Sequence, residues 1–147
     1  TGELPITNPN MTRFMISLEE GVELVWHAFN NMQGGEIYVK KIPSMTITDI
    51  ASAIDEKALQ KTIGIRPGEK IHEQMIGLED APHTYEYDDH YKILPAIYNW
   101  SSDPNRNKGG TKVDANFTYS SEQNKEWMSV KDLQQWISAN REKIGQI

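Results

Sequence analysis

The stretch from Ser17 to Gly35 constrains this chain more than any other. Ser17-Leu18-Glu19-Glu20 has the form of a capping box, in which the Ser17 hydroxyl caps a free amide and Glu20 reaches back to the cap. Leu18, Val22, Val25, Phe29 and Met32 follow at steps of four, three, four and three, and Trp26 widens the stripe. That spacing predicts one face of an amphipathic helix running from Ser17 to about Gln33. Gly34-Gly35 ends it, and Glu36 to Lys40 then reads as a short strand with Ile37 and Val39 on one side. A helix between short strands means a mixed α/β fold.

The rest of the chain fits that class. Leu4 to Thr7 reads as an edge strand, with Pro5 where no ladder donor is needed. Asn8-Pro9-Asn10 is a turn. Pro43-Ser44 opens a second helix, capped by Thr46 or Ser44, with Asp49 in its first turn and Ile47, Ile50, Ala51 and Ile54 on its buried face. Lys61 to Ile65 is a brief strand, and Ile71 to Ile76 is a helical turn or a strand. Thr84 to Tyr87 and Tyr91 to Leu94 form a strand pair joined by Asp88-Asp89-His90. Ser101 to Ala115 is a long loop rich in Asn, Gly, Lys and Asp. Phe117 to Tyr119 is a short strand. A last helix opens at Ser129, with Val130, Leu133, Trp136 and Ile137 facing inward.

Bulk properties exclude several functions. At 147 residues this is one domain's worth of chain, long enough for a core. A net charge of -6 argues against nucleic-acid binding, which needs a clustered basic face. With no cysteine there is no disulfide framework, thiol nucleophile or cysteine zinc site. No apolar run approaches membrane-spanning length, and the expectation is a cytoplasmic protein. The chain starts at Thr1 without an initiator Met or signal pattern, so it reads as a piece of something longer. The glycosylation sequons at Asn10, Asn99 and Asn116 are read as coincidence.

One motif carries chemistry. In Gly64-Ile65-Arg66-Pro67-Gly68-Glu69-Lys70-Ile71-His72-Glu73, the Pro-Gly pair forces a tight turn with Arg66 and Glu69 at its ends. A guanidinium fork and a carboxylate on one bend can grip a ligand that carries both phosphate and hydroxyls, such as a nucleotide sugar. The bland alternative is a surface turn closed by an internal Arg66–Glu69 ion pair. Arg13, just ahead of the capped helix, is a candidate second anion contact against a simple solvated arginine. His72-Glu73 and Asp88-Asp89-His90 match no metal spacing, and solvated turns are the better reading. Tyr85, Tyr87, Tyr91, Tyr98, Trp100 and Trp127 can stack on a base or sugar, but core packing is favoured. There is no Gly-x-Gly-x-x-Gly or Walker loop, no Gly-x-Ser-x-Gly elbow, and no Tyr followed four residues later by Lys.

Met11 to Phe14, Ser17 to Val22, Gly34 to Val39, Ile42 to Met45, Gly64 to Glu73, Asp114 to Ser121 and Trp127 occur in an order and spacing that resemble a known family. The likeness is to the C-terminal part of the configuration-inverting UDP-N-acetylglucosamine 4,6-dehydratases, in the extended short-chain dehydrogenase/reductase group. It implies an α/β fold in which residues 1–41 are late elements of a Rossmann domain. Residues 42–147 would form a small substrate-binding domain of short strands, within a total of about three main helices. It implies a lyase of the pseudaminic acid pathway whose NADP and catalytic residues lie outside this chain, so the chain itself is inactive and binds no cofactor. It implies that Arg66 contacts the UDP phosphates, Glu69 the uridine ribose, and Arg13 the phosphates. Expected partners are UDP-N-acetylglucosamine or a related UDP-sugar and further copies of the chain, because Leu18, Val22, Val25 and Phe29 would have lost part of their packing partner. Alternatives are a capsule-type dehydratase or epimerase of the same group, and a non-catalytic binding or assembly module.

Overall fold

A computed structural model describes residues 2–97, 103 and 105–141. The order of elements is β1 (Glu3–Ile6), β2 (Thr12–Phe14), α1 (Leu18–Asn31), β3 (Ile37–Lys40), β4 (Ser44–Thr46), α2 (Ile47–Ile54), β5 (Leu59–Thr62), β6 (Gln74–Ile76), β7 (Thr84–Glu86), β8 (His90–Ile93), β9 (Thr111–Lys112), β10 (Tyr119–Ser120) and α3 (Val130–Ala139). The chain divides into two compact units. One is built from Thr1–Met15, Pro43–Glu73 and Ser121–Ile147, the other from Ile16–Ile42 and Gln74–Ser120. Strand β1 and helix α1, read together in the sequence as one fringe, therefore belong to different units.

The first unit rests on two small sheets and two helices. β1 runs parallel to β5, pairing Glu3 with Leu59 through Ile6 with Thr62. β2 and β4 are antiparallel, with Arg13 opposite Met45. Residues 44–46 are thus a strand, not the start of a helix. Their hydrogen-bonding groups are claimed by β2 and by the 126–128 segment, where Ser44 N donates to Glu126 O and Met128 N to Ser44 O. The helix begins one turn later. Thr46 caps α2 by accepting from Asp49 N, and Ser129 caps α3 with a complete capping box. Met45, Ala53 and Leu133 form a buried cluster, with Met15, Ile50, Met128, Val130 and Ile137 packed around it. Trp136 and Ile54, expected to face inward, are instead substantially exposed. Met45 is fully buried, so Met45→Ala is expected to destabilise this unit by about 2–5 kcal/mol. A lowered urea midpoint with an unchanged slope would register it.

The second unit is built on an antiparallel sheet in the order β3-β8-β7-β9. Alternation places Val39, Tyr91, Ile93 and Thr84 on the buried face. Tyr91 packs against Phe117 and Tyr119, with ring centroids 5.1 Å apart in each case. The Tyr119 hydroxyl accepts from Ile42 N at 2.9 Å and donates to Ile42 O at 3.0 Å. The opposite face holds Tyr38, Tyr87 and His90, with His27 of α1 laid against Tyr38 and His90. A Cβ at Gly110 would fall 2.6 Å from the Tyr87 ring, so any larger residue there would have to displace that ring. Tyr98, Trp100 and the residues at 101–102 and 104 of the expected loop lie outside the described residues.

Past α1 the chain wraps round a carboxylate. Glu36 accepts from Gln33 N and from Gly34 N, and pairs with Arg106 at 3.3 Å, while its side chain is only 1% exposed. Burial acts to raise its pKa, but the backbone N–H groups of Glu36, Gln33 and Gly34 and the Arg106 guanidinium outweigh it. The carboxyl is held below its ordinary value of 4.5. A depressed folded-state pKa contributes stability that is present above the ordinary value and lost as pH falls through the folded one. Glu36→Gln is therefore expected to lower the melting temperature at pH 7. The difference should shrink as melts are taken below about pH 4.5.

Helix α1 has the predicted capping box, with the Glu20 carboxylate accepting from Ser17 N at 2.9 Å. None of its residues is buried. Leu18 is 81% exposed, Trp26 64% and Phe29 62%.

Candidate functional site

The turn at Arg66–Glu69 forms as its residue types dictate. Glu69 N donates to Arg66 O at 3.1 Å across Pro67 and Gly68. Gly68 has φ +81, the left-handed value that the second corner of a type II turn requires. The Glu69 carboxylate then folds back and accepts from Arg66 N at 3.1 Å, so the turn is closed twice. This uses one site of a carboxylate that can accept about four hydrogen bonds. Glu69 is half-buried and Arg66 is exposed. Among the described residues the two side chains form no ion pair, and the Arg66 guanidinium has no hydrogen-bond partner. The bend thus holds an unneutralised cation at one end and a carboxylate with spare acceptor capacity at the other.

Arg13 reaches the root of the same loop. From β2 its guanidinium donates to Thr12 O at 2.7 Å, Lys70 O at 2.9 Å and Ile71 O at 3.1 Å. Its Nε lies 3.6 Å from the Glu73 carboxylate. An arginine has five N–H donors. Three meet carbonyls and one faces Glu73, which leaves one N–H and a partly exposed charge. Lys70 is the residue immediately after Glu69, so Arg13 and the turn are brought together through the chain itself.

A second set of groups fixes this loop. Thr12 N donates to Ile71 O at 3.0 Å, and Ser121 N to Glu73 O at 2.8 Å. The Thr12 hydroxyl lies 2.8 Å from His72 Nδ1 and 2.6 Å from the Ser121 hydroxyl. Ser121 Oγ accepts from Glu73 N at 2.9 Å. Sequence reasoning singled out neither Thr12 nor Ser121, and considered His72 only as a metal ligand. Both hydroxyl residues do lie in motifs that keep family order and spacing, and that was the available signal.

The other candidates are placed differently. Tyr85, Tyr87 and Tyr91 belong to the second unit, whereas Arg13, Arg66 and Glu69 belong to the first. Trp127 is 45% exposed and its indole donates to Asn124 O. Asp89 bonds His90 at 2.7 Å in the second unit. Among the described residues no group of three or more His, Asp or Glu is arranged to hold a metal ion, and no helix is long and apolar enough to cross a membrane.

A family described as polysaccharide biosynthesis protein matches residues 1–95. The chain is 48% identical over 136 residues to a protein of Campylobacter jejuni (serotype O:23/36, strain 81-176) named UDP-N-acetylglucosamine 4,6-dehydratase (inverting); the match covers 89% of this chain and 41% of the relative. A UDP-glucose 4-epimerase of Rickettsia canadensis is 40% identical over 95 residues, covering 62% of this chain and 28% of that protein. Among solved structures, Pen from Bacillus thuringiensis superimposes with a TM-score of 0.79 at 23% identity, over 95% of this chain and 42% of that one. The chain therefore spans about two-fifths of the length of the dehydratase it matches.

Proposed function

The chain belongs to the polysaccharide biosynthesis protein family, and from that premise we propose that it is the substrate-binding part of an inverting UDP-N-acetylglucosamine 4,6-dehydratase. The 48% identity to the Campylobacter enzyme supports the activity class. The observation that carries the chemistry is the closed turn with Arg66 unneutralised and most of the Glu69 carboxylate available.

In this reading Arg66 takes the pyrophosphate as a fork of charge-assisted bonds. Glu69 accepts from the two ribose hydroxyls, which are donors a carboxylate can pair together. The one remaining N–H of Arg13 adds a second phosphate contact while its other donors keep the loop in place. Uridine and diphosphate are thus held far from the reacting sugar carbons, and that binding orients the hexose for chemistry performed elsewhere.

The intact enzyme would be an NADP-dependent lyase of the short-chain dehydrogenase type, acting in the cytoplasm in the route to pseudaminic acid. NADP would supply hydride removal and return. The described residues do not fit that cofactor. Each α-helix N-terminus is already capped by its own hydroxyl and an acid, namely Ser17 with Glu20, Thr46 with Asp49 and Ser129 with Asp132. A carboxylate at each terminus repels a phosphate where a dinucleotide fold would seat one. No catalytic step is therefore assigned to this chain. Helix α1 and strand β3 fit the edge of the cofactor domain in this proposal, while β1, hydrogen-bonded to β5, goes with the substrate-binding part.

Calorimetric titration tests the reading. UDP-N-acetylglucosamine and UDP should both bind, and N-acetylglucosamine alone should not. Equal affinity for the free sugar and the nucleotide would remove the proposed grip. An epimerase would share it, as the Rickettsia match suggests; the product formed by the full-length protein separates the two.

A further inference from the structure

We infer that Thr12 is a positioning residue for the nucleotide grip, acting through a buried chain of hydroxyls that runs from Ser121 to His72. The inference rests on the function proposed above for Arg66 and Glu69.

The turn bearing those residues is anchored at both ends. Upstream, β5 is held by β1, and Ile63 N donates to Ile6 O at 2.9 Å. Downstream there is no strand until Gln74. Residues 70–73 are held instead by β2 and Ser121, and Thr12 is the junction. Its backbone N–H donates to Ile71 O, and its hydroxyl lies between His72 Nδ1 and Ser121 Oγ. Thr12 is 5% exposed and Ser121 0%, so water cannot replace either partner at low cost.

The protons around this junction can be counted. Ser121 Oγ already accepts from Glu73 N, so its own proton is free to go to Thr12 Oγ1 at 2.6 Å. The Thr12 proton then goes to His72 Nδ1 at 2.8 Å. Every donor has one acceptor, in one direction, from the Glu73 amide to the imidazole. The reverse arrangement leaves Ser121 Oγ donating to Thr12 O at 3.4 Å, a poorer bond. The charged groups facing His72 are Glu122, 4.0 Å from Nδ1, and the neighbouring Arg13–Glu73 pair. Arg13 fixes the carbonyls of Lys70 and Ile71, while Thr12 holds the His72 side chain directly and the Glu73 amide through Ser121. A strand pair would do this work with a ladder. Here the side chains of Thr12, Arg13 and Ser121 do it beside two backbone bonds, so losing one hydroxyl from the junction loosens the loop on its ligand side.

The test compares Thr12→Val, nearly the same shape without the hydroxyl, with Thr12→Ser, which keeps it. UDP is the probe, measured by calorimetry, and hydrogen exchange at the Glu69 amide reports the turn without any ligand. Thr12→Val is expected to weaken UDP binding about tenfold and to speed exchange at Glu69, while Thr12→Ser stays within about twofold of wild type in affinity. Ser121→Ala carries the same expectation as Thr12→Val and takes its place if the valine variant does not fold. A folded Thr12→Val that matches wild type in both readouts overturns the inference, as does a Thr12→Ser no better than Thr12→Val. If wild type does not bind UDP, the functional reading fails by itself, and the exchange comparison still decides whether Thr12 positions the turn.

Discussion

Arg66→Ala should weaken binding of UDP-N-acetylglucosamine by about ten- to a hundredfold, the range expected when a charge-assisted bond worth roughly 1.5–3 kcal/mol is removed. The effect should not be accompanied by unfolding. Arg66 is exposed, and what closes the turn is its backbone, not its guanidinium. Arg66→Lys should recover only part of the loss, since an ammonium is a point charge and cannot present the planar fork. Raising the salt concentration should weaken wild type more than the alanine variant, because screening acts on the charge the variant lacks. Glu69→Gln separates the two halves of the grip. It keeps an oxygen for Arg66 N but loses the charge offered to the ribose, so UDP affinity should fall while inorganic pyrophosphate binds no worse. If Arg66→Ala bound UDP-N-acetylglucosamine as wild type does, the phosphate contact would have to be sought elsewhere on the first unit.

What the sequence disclosed about this site depended on how local the physics was. The Arg66–Glu69 turn is readable because Pro67 and Gly68 fix their own dihedrals, whatever surrounds them. The capping box at Ser17 was equally legible, since cap and acid are three residues apart, and so was the opening of a helix at Ser129. Strand β4 was not. Ser44 and Thr46 look like helix caps, and only pairing with β2, some thirty residues earlier, turns them into a strand. The inward placement of Trp136 and Ile54 followed from periodicity, but the short helices α2 and α3 bury small faces around Ala53 and Leu133. The loop anchors lay furthest from view. Thr12 and Ser121 are 109 residues apart, and no pattern within a window of sequence predicts that their hydroxyls meet. Arg13 was legible as a candidate anion contact ahead of the capped helix, but its bonds to Lys70 O and Ile71 O were not.

The apolar seam of α1 should make the 147-residue chain self-associate. Leu18, Val22, Val25, Phe29 and Met32 recur at four and three residues, which is the spacing by which one helix packs along another. These five side chains are 47–81% exposed, and Trp26 beside them 64%. Together they present on the order of 800 Å² per protomer, about what one partner contributes to a stable interface of standard size. A patch that large is unusual on a soluble monomer. The seam also has a self-complementary feature: an antiparallel pair crossing at Val25 sets the small Gly21 and Ala28 of one copy opposite Phe29 and Val22 of the other. Sedimentation equilibrium should therefore show dimers or larger species at tens of micromolar. Introducing Val25→Glu with Phe29→Glu should yield a monomer with the same far-ultraviolet dichroism. Neither residue is buried, so the fold has little to lose, whereas a dimer would have to desolvate four carboxylates at its centre. UDP affinity should be unchanged in the monomer, because neither substituted residue belongs to the Arg66–Glu69 turn or to the Arg13 contacts that hold it. A wild-type chain that sediments as a monomer would mean that the exposed seam is too weak to hold two copies together.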